Sequence, residues 1–475
     1  MIVTRTIHLL VILGFAASTV GCASRPINQP IAKAEPAGGY RAAVQVAKRS
    51  NQDSKTLFAL AFSGGGTRAA AFSYGVLEEL YRTEIVVDGQ HRRLVDEVDL
   101  ITGVSGGSFT ALAYALYGDR LFSEYEQRFL KRDVQGALLA RTVNPLNWPK
   151  IVGGSYGRSE LAADYYDEIL FQGATFGDLM DRPAPMAIVT GTDISTGARL
   201  AFTQGDFDLL CSDLSKVRLS RAAATSSAVP VVLSPVTFSN FGGTCRFNYP
   251  AWVKDVVDPS NRKRPAGRAL LRYRDMQEFQ KSGERPYIHL IDGGVSDNLG
   301  MRGILEGLEE LEASEAYQKE VGVRGLRRIV VILVNSRSAP STDWDKGESA
   351  PGVVSQLLQS SSVPIDRYSY ESVELLKDMV QRWQTKRELA IAQARLAGKT
   401  EAQAEASIPE IDVYAIDVSF DSIADPKERA YFMNLPTSFV LSDEEVDRLR
   451  DIGGQLLRAS PAYQELVKDF GGTVK

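Results

Sequence analysis

A chain of 475 residues that is 44% hydrophobic and 24% charged has the make-up of an ordinary globular protein, long enough for one large α/β domain or two smaller ones. That composition excludes a disordered or fibrous chain. The formal net charge of -5 is small for this length and no long Lys/Arg run occurs, so a nucleic-acid partner has no electrostatic basis.

The chain opens MIVTRTIHLLVILGFAASTVGCASR: Arg5, an apolar stretch from Ile7 to about Ala17, then small residues leading to Cys22. That stretch is short for a bilayer span, which needs roughly 20 residues, and has the layout of a cleaved secretory signal. Thr19-Val20-Gly21-Cys22 resembles the lipobox of bacterial lipoproteins, although that family usually has Leu where Thr19 stands. The resemblance implies a signal peptide over 1–22, lipidation of Cys22, and a mature chain held at a membrane surface of the cell envelope by its N-terminal acyl anchor. Ala23 and Ser24, with no Asp beside the Cys, would point to the periplasmic face of the outer membrane. The plainer alternative is a secreted or uncleaved chain. Two further cysteines, Cys211 and Cys245, form a disulfide in an oxidising compartment or stay as two buried thiols.

Residues 23–54, rich in Pro, Ala and polar side chains, read as a tether. At 57–62 an apolar run ends in glycines, and Phe72, Val76 and Leu80 then recur at a four-residue step, so a buried strand precedes an amphipathic helix. The same pattern returns at 98–102 before SFTALAYALYG and at 287–291 before MRGILEGLEELEA. Further strands are predicted at 186–190, 200–203, 328–334 and 411–418. Strands alternating with helices give an α/β three-layer sandwich, a mostly parallel central sheet flanked by helices. One domain is expected over 55–340, with a surface insertion at about 248–286. Residues 341–475 pack on it as a helical C-terminal extension that includes a charged arm at about 366–405.

Two glycine-rich turns follow two of these strands. FSGGGTRAAAF places Gly64, Gly65 and Gly66 before a helix, where bare amides can approach a ligand closely, and a hinge is the other reading. ITGVSGGSF contains Gly103-Val104-Ser105-Gly106-Gly107, a GxSxG set between strand and helix as a nucleophile elbow requires; alone, the serine could merely cap that helix. A serine nucleophile needs a base. The chain has three histidines: His8 in the signal, His91 in a polar run, and His289, which reads as a packed core residue. A carboxylate is the better candidate: Asp292 ends the strand at 287–291, followed by Gly293 and Gly294, and strand C-termini are where parallel sheets open their sites. Asp297 and Asn298 read as helix caps.

Ser63–Arg68 (SGGGTR), Gly103–Gly107 (GVSGG) and Asp292–Gly294 (DGG) resemble, in order, the glycine-rich loop, nucleophile motif and Asp-Gly-Gly/Ala motif of patatin-like phospholipases. Ala224–Pro230 (ATSSAVP) is similar to another block of that family, and Ala69 stands where the family often has a further glycine. The resemblance covers roughly 56–300 and implies a Ser105/Asp292 dyad acting on acyl esters of membrane lipids without histidine. By the same resemblance Gly64, Gly65 and Gly66 would form the oxyanion hole, with Arg68 stabilising the loop or adding positive potential. No cofactor is implied, and no ligand cluster or calcium loop calls for a metal. The alternatives are a lipid acyltransferase using the same dyad and a membrane-tethered lipid-binding protein without catalysis. A phosphate-binding loop would need Gly-Lys-Ser/Thr where Thr67-Arg68-Ala69 stands.

Overall fold

The computed structural model describes residues 24–48, 53, 55–152, 155–258, 260, 267–314, 326–339, 344–408 and 410–474; the signal peptide and Cys22 lie outside the described residues. In chain order the principal elements are α1 (Ala42–Lys48), β1 (Thr56–Phe62), α2 (Gly66–Arg82), β2 (Glu84–Val87), β3 (Gln90–Arg93), β4 (Leu100–Gly103) and α3 (Gly106–Tyr117). Next come α4 (Val134–Val143), α5 (Trp148–Val152), α6 (Arg158–Tyr166), β5 (Met186–Asp193), β6 (Arg199–Ala201), α7 (Leu219–Ser226), β7 (Val236–Ser239), α8 (Ala251–Val257) and α9 (Gly267–Phe279). The chain continues through β8 (Tyr287–Asp292), α10 (Gly294–Asp297), α11 (Met301–Ala313), β9 (Arg328–Asn335), α12 (Val353–Leu396), α13 (Glu401–Ser407), β10 (Asp412–Ser419), α14 (Asp443–Ala459) and α15 (Pro461–Asp469).

The sheet runs β10-β9-β1-β4-β5-β8-β7, with β6 pairing β5 and a separate β2–β3 hairpin. Period-two alternation assigns each strand's side chains to opposite faces. Phe58, Leu60 and Phe62 of β1 join a core with Phe72, Leu77 and Leu80 of α2, Phe109 and Leu112 of α3, and Leu449 of α14. Ala59 and Ala61, with Ile329, Val331 and Leu333 of β9, face Met301 and Leu305 of α11 and Leu376 and Met379 of α12. The small alanines let this second helical layer lie close to the sheet, and the protein is an α/β three-layer sandwich.

Strands β10, β9, β1, β4 and β5 are mutually parallel, whereas β8 is antiparallel to both β5 and β7. The reading of Asp292 as the end of a parallel strand is therefore corrected. It reaches the same edge for a different reason. Phe62, Gly103 and Val189 are in register, β5 continues to Asp193, and β8 returns along that extension until Asp292 faces Gly191.

Three boundaries also shift. Residues 24–48, read as tether, dock onto the domain: Pro30 bridges Ser212, Asn28 Nδ2 donates to Ser212 Oγ at 2.8 Å, and the buried Tyr40 hydroxyl accepts from the Ala187 amide at 2.8 Å. One buried aromatic and a strand-like bridge outweigh a linker-like composition. The insertion at 248–286 buries Trp252, Met276 and Phe279, so α8 and α9 are part of the core instead of a surface excursion. The arm begins at Val353, not 366, and α12 has 44 residues, roughly 65 Å of helix. Leu376 and Met379 seat its middle on the sheet while Leu389 and Leu396 are exposed.

Candidate active site

The two glycine turns leave adjacent parallel strands and touch through their backbones. Gly65 and Gly66 have φ of 142° and 60°, values that L side chains rarely adopt. Any β-carbon on Gly106 would overlap the Gly66 carbonyl, and one on Gly107 would lie 2.7 Å from the Phe62 carbonyl oxygen. The end of β9 holds the first turn. The Ser63 amide donates to the Val334 carbonyl at 3.1 Å, the Ser336 amide to Ser63 Oγ at 2.9 Å, and the Ser336 hydroxyl to the Gly64 carbonyl at 3.0 Å.

Ser105 stands between β4 and α3 with φ 47° and ψ -118°, a strained conformation for a residue with a β-carbon and the one a nucleophile elbow imposes. Its amide donates to Ser226 Oγ at 3.0 Å and its carbonyl accepts from the Ser108 hydroxyl at 2.5 Å. The same end of α7 holds the aspartate. The Asp292 amide donates to the Ala228 carbonyl at 3.0 Å and the Gly293 amide to the Ser226 carbonyl at 3.1 Å. Ser226 thus touches both halves of the site. The sequence flagged its block, but the contact is made across more than a hundred residues, beyond any local pattern.

The Ser105 hydroxyl lies close enough to the Asp292 carboxylate to favour its ionised form, and Asp292 Oδ1 accepts from the Gly294 amide at 2.7 Å. Burial pushes the Asp292 carboxyl up to about 7; the Gly294 amide and the Ser105 hydroxyl oppose that shift and recover only part of it. Both side chains are nearly enclosed, each residue being 6% exposed. A cavity of about 290 Å³, lined by Asn28, Glu160, Lys216 and Arg221 among others, lies apart from the dyad.

Other predicted residues take different places. The Gly64 amide donates to the Asn298 carbonyl at 2.9 Å, so it is not available to a substrate oxygen. Among the described residues no acceptor faces the amides of Gly65, Gly66 or Gly106. Arg68 is buried, and its guanidinium donates to the Ser336 carbonyl at 3.0 Å, the Leu435 carbonyl at 2.5 Å and Thr437 Oγ1 at 3.1 Å. It clamps the loop to Leu435 and Thr437. Ser438 completes that cover, its carbonyl accepting from the Thr67 amide at 2.8 Å. In sequence Asn298 reads only as a helix cap, and the 435–441 segment carries no signal.

Asp297 Oδ2 accepts from the Arg302 amide in the first turn of α11 at 2.9 Å, with Gly300 as the N-cap, and the Asn298 side chain reaches the glycine loop. His289 is exposed on β8, its Nδ1 2.9 Å from Thr237 Oγ1; the core placement is corrected, because its face of that edge region has no covering layer. His91 lies exposed in the hairpin. Cys211 and Cys245 are joined as a disulfide, with Cα atoms 5.4 Å apart. Among the described residues, no group of three or more His, Cys, Asp and Glu side chains could hold a metal ion.

The fold is a three-layer α/β sandwich with a strained Ser105 after β4 and a buried Asp292 at the end of β8, on the far side of β5. The chain belongs to the patatin-like phospholipase family, whose match spans residues 60–304, more than half of its length. No curated protein matches the sequence. Among solved structures, human GIVD cytosolic phospholipase A2 is similar at 12% identity and a TM-score of 0.41, covering 90% of this chain and 62% of its own. The same protein in complex with methyl gamma-linolenyl fluorophosphonate gives 13% identity and 0.41. The type III effector protein ExoU gives 15% identity and 0.21, with 88% and 78% covered. This chain therefore spans less than two thirds of the human protein's length, and nothing about the site rests on these neighbours.

Proposed function

We propose that the protein is a serine acyl-ester hydrolase of lipids, of phospholipase A or lysophospholipase type, in which Ser105 is the nucleophile and Asp292 the base. The observation that carries this reading is a strained serine, Ser105, set close to a buried carboxylate raised to about 7. Ser105 Oγ attacks the ester carbonyl carbon while its proton passes to Asp292. The carbonyl π-pair moves to oxygen, and the amides of Gly65 and Gly66 are the donors proposed for that oxyanion. Collapse breaks the acyl C–O bond, the proton passes from Asp292 to the leaving alcohol, and water then repeats the sequence on the acyl-enzyme.

A carboxylate of ordinary pKa would be a feeble acceptor for a serine proton. Desolvation strengthens it, and no imidazole is then required. Export and lipidation at Cys22 belong to the same proposal and rest on the sequence of residues 1–22; among the described residues no helix is long and apolar enough to cross a membrane.

The test compares the parent with Ser105→Ala and Asp292→Asn on phospholipid, lysophospholipid and p-nitrophenyl esters. Each substitution is expected to lower kcat by about 10³-fold or more with the fold intact. Release of fatty acid at the parental rate by either variant refutes the dyad. An acylated acceptor in place of free fatty acid would replace hydrolysis by acyl transfer.

A further inference from the structure

Residues 134–158, VQGALLARTVNPLNWPKIVGGSYGR, contain three basic residues and no acidic one in a chain of net charge -5. Within this stretch α4, α5 and the turn between them leave Leu139, Val143, Leu146 and Trp148 exposed, Leu146 at 82% and Trp148 at 53%. Exposed apolar side chains interleaved with Lys150, beside an Arg141 paired to Glu168 at 2.6 Å, are what an element lying in a lipid interface presents, with Trp at headgroup depth and Lys150 toward anionic phosphates. Isolated exposed leucines mean little, but a clustered set does.

The patch connects at two points to segments that also bind the glycine loop or the Ser226–Ala228 turn. The Gln135 amide donates to the Phe439 carbonyl at 3.2 Å, and the neighbouring Ser438 carbonyl binds the Thr67 amide beside the glycine loop. Beyond α5, Arg158 Nη2 donates to the Val231 carbonyl at 3.1 Å. Val231 and Val232 are themselves exposed and follow by a few residues the Ser226–Ala228 turn that binds Ser105 and Asp292.

The N-terminal end of the described chain arrives at the same place. The Arg25 amide donates to Ser155 Oγ at 3.4 Å, three residues past α5, and Arg25 Nη2 to Ser239 Oγ at 2.8 Å. Cys22 is three residues upstream, so an acyl group there would leave the protein within ~11 Å of Arg25. The end of the described chain that leads to the proposed anchor therefore adjoins the apolar element.

We infer that the face formed by α4, α5 and the 231–232 turn docks on an anionic lipid surface and presents the dyad to it. This rests on the hydrolase reading for its purpose, but its test does not. The full chain carrying Cys22→Ser, with or without Leu146→Asp and Trp148→Asp, is sedimented with vesicles of phosphatidylethanolamine and phosphatidylglycerol. The substituted pair is expected to lower the bound fraction and the hydrolysis of vesicle lipid by about tenfold or more, with melting temperature and turnover of a water-soluble p-nitrophenyl ester unchanged. Leu146→Asp alone keeps Trp148 as a reporter, whose emission should shift to the blue on vesicles in the Cys22→Ser chain and less in this variant. Equal vesicle binding by parent and variants overturns the inference, as does a patch that holds two copies together and leaves vesicle binding unaffected. A folded variant that loses turnover of the water-soluble ester as well assigns the patch to the site, against the inference. A parent that binds vesicles but cleaves no ester refutes the hydrolase reading and leaves the docking face standing.

Discussion

On the proposed reading, Asp292 governs the pH dependence of turnover. As a base it must be ionised, so kcat/KM is expected to rise with pH, about tenfold per unit below about 7, and to level off above. The same carboxyl makes a stability signature of opposite sign. An acid whose folded pKa is raised holds its proton in the folded state after the unfolded chain has lost it. Its stabilising contribution is full below about 4 and disappears as pH rises to about 7, at about 1.4 kcal/mol per pH unit. Asp292→Asn removes that dependence. Relative to the parent it should gain stability between pH 4.5 and pH 8, which urea unfolding at the two values would measure. A constant difference between the two proteins would mean that Asp292 is ionised normally.

Among the elements, the glycine loop is held by neighbours that sequence does not place beside it. Gly66 combines a φ of 60° with contact against the Ser438 backbone, whereas Gly89, at φ 77°, has open space around it. Gly89→Ala should cost only the left-handed conformation, about 1–2 kcal/mol. Gly66→Ala must also displace residues 435–441, so its melting temperature should fall further and its turnover should drop. Similar losses for the two variants, with activity retained by both, would contradict the description of the loop. The disulfide bridges cysteines 34 residues apart, beside the docked segment around Ile31 and Ala34. Replacing both by Ser should lower stability by about 3–4 kcal/mol, as judged by denaturant midpoints. An unchanged midpoint in oxidised protein would count against a structural role.

At the scale of the whole molecule, legibility followed sequence distance. The strands before Gly64, Gly103 and Gly293 were readable because each is an apolar run cut off by glycine, and the order of motifs supplied Ser105 and Asp292. The four-residue β7, Val236–Ser239, was too short to show a period. The β2–β3 hairpin did leave a local mark, Asp88-Gly89 with φ of 50° and 77°, as a type I′ turn requires, but its polar flanks hid it. The antiparallel sense of β8 is set by tertiary pairing and leaves no mark within the strand. Ser336 and Ser438 act on the glycine loop from far along the chain, so a search by motif spacing does not find them, and the contacts of Ser226 and Asn298, though both were noted in sequence, are set by the fold. Arg68 was visible as part of the loop, but its aim depends on where residues 435–441 fold.

The central claim is that Ser105 is the nucleophile of an ester-hydrolysing dyad, and the most direct measurement is covalent. The full chain would be treated with a long-chain alkyl fluorophosphonate, digested, and the adduct mapped by mass spectrometry alongside residual activity. One adduct on Ser105 is predicted, formed in step with loss of ester hydrolysis, absent from Ser105→Ala and slowed by about 10²-fold or more in Asp292→Asn. Activity lost through an adduct on another residue, or retained after full modification of Ser105, would contradict the account.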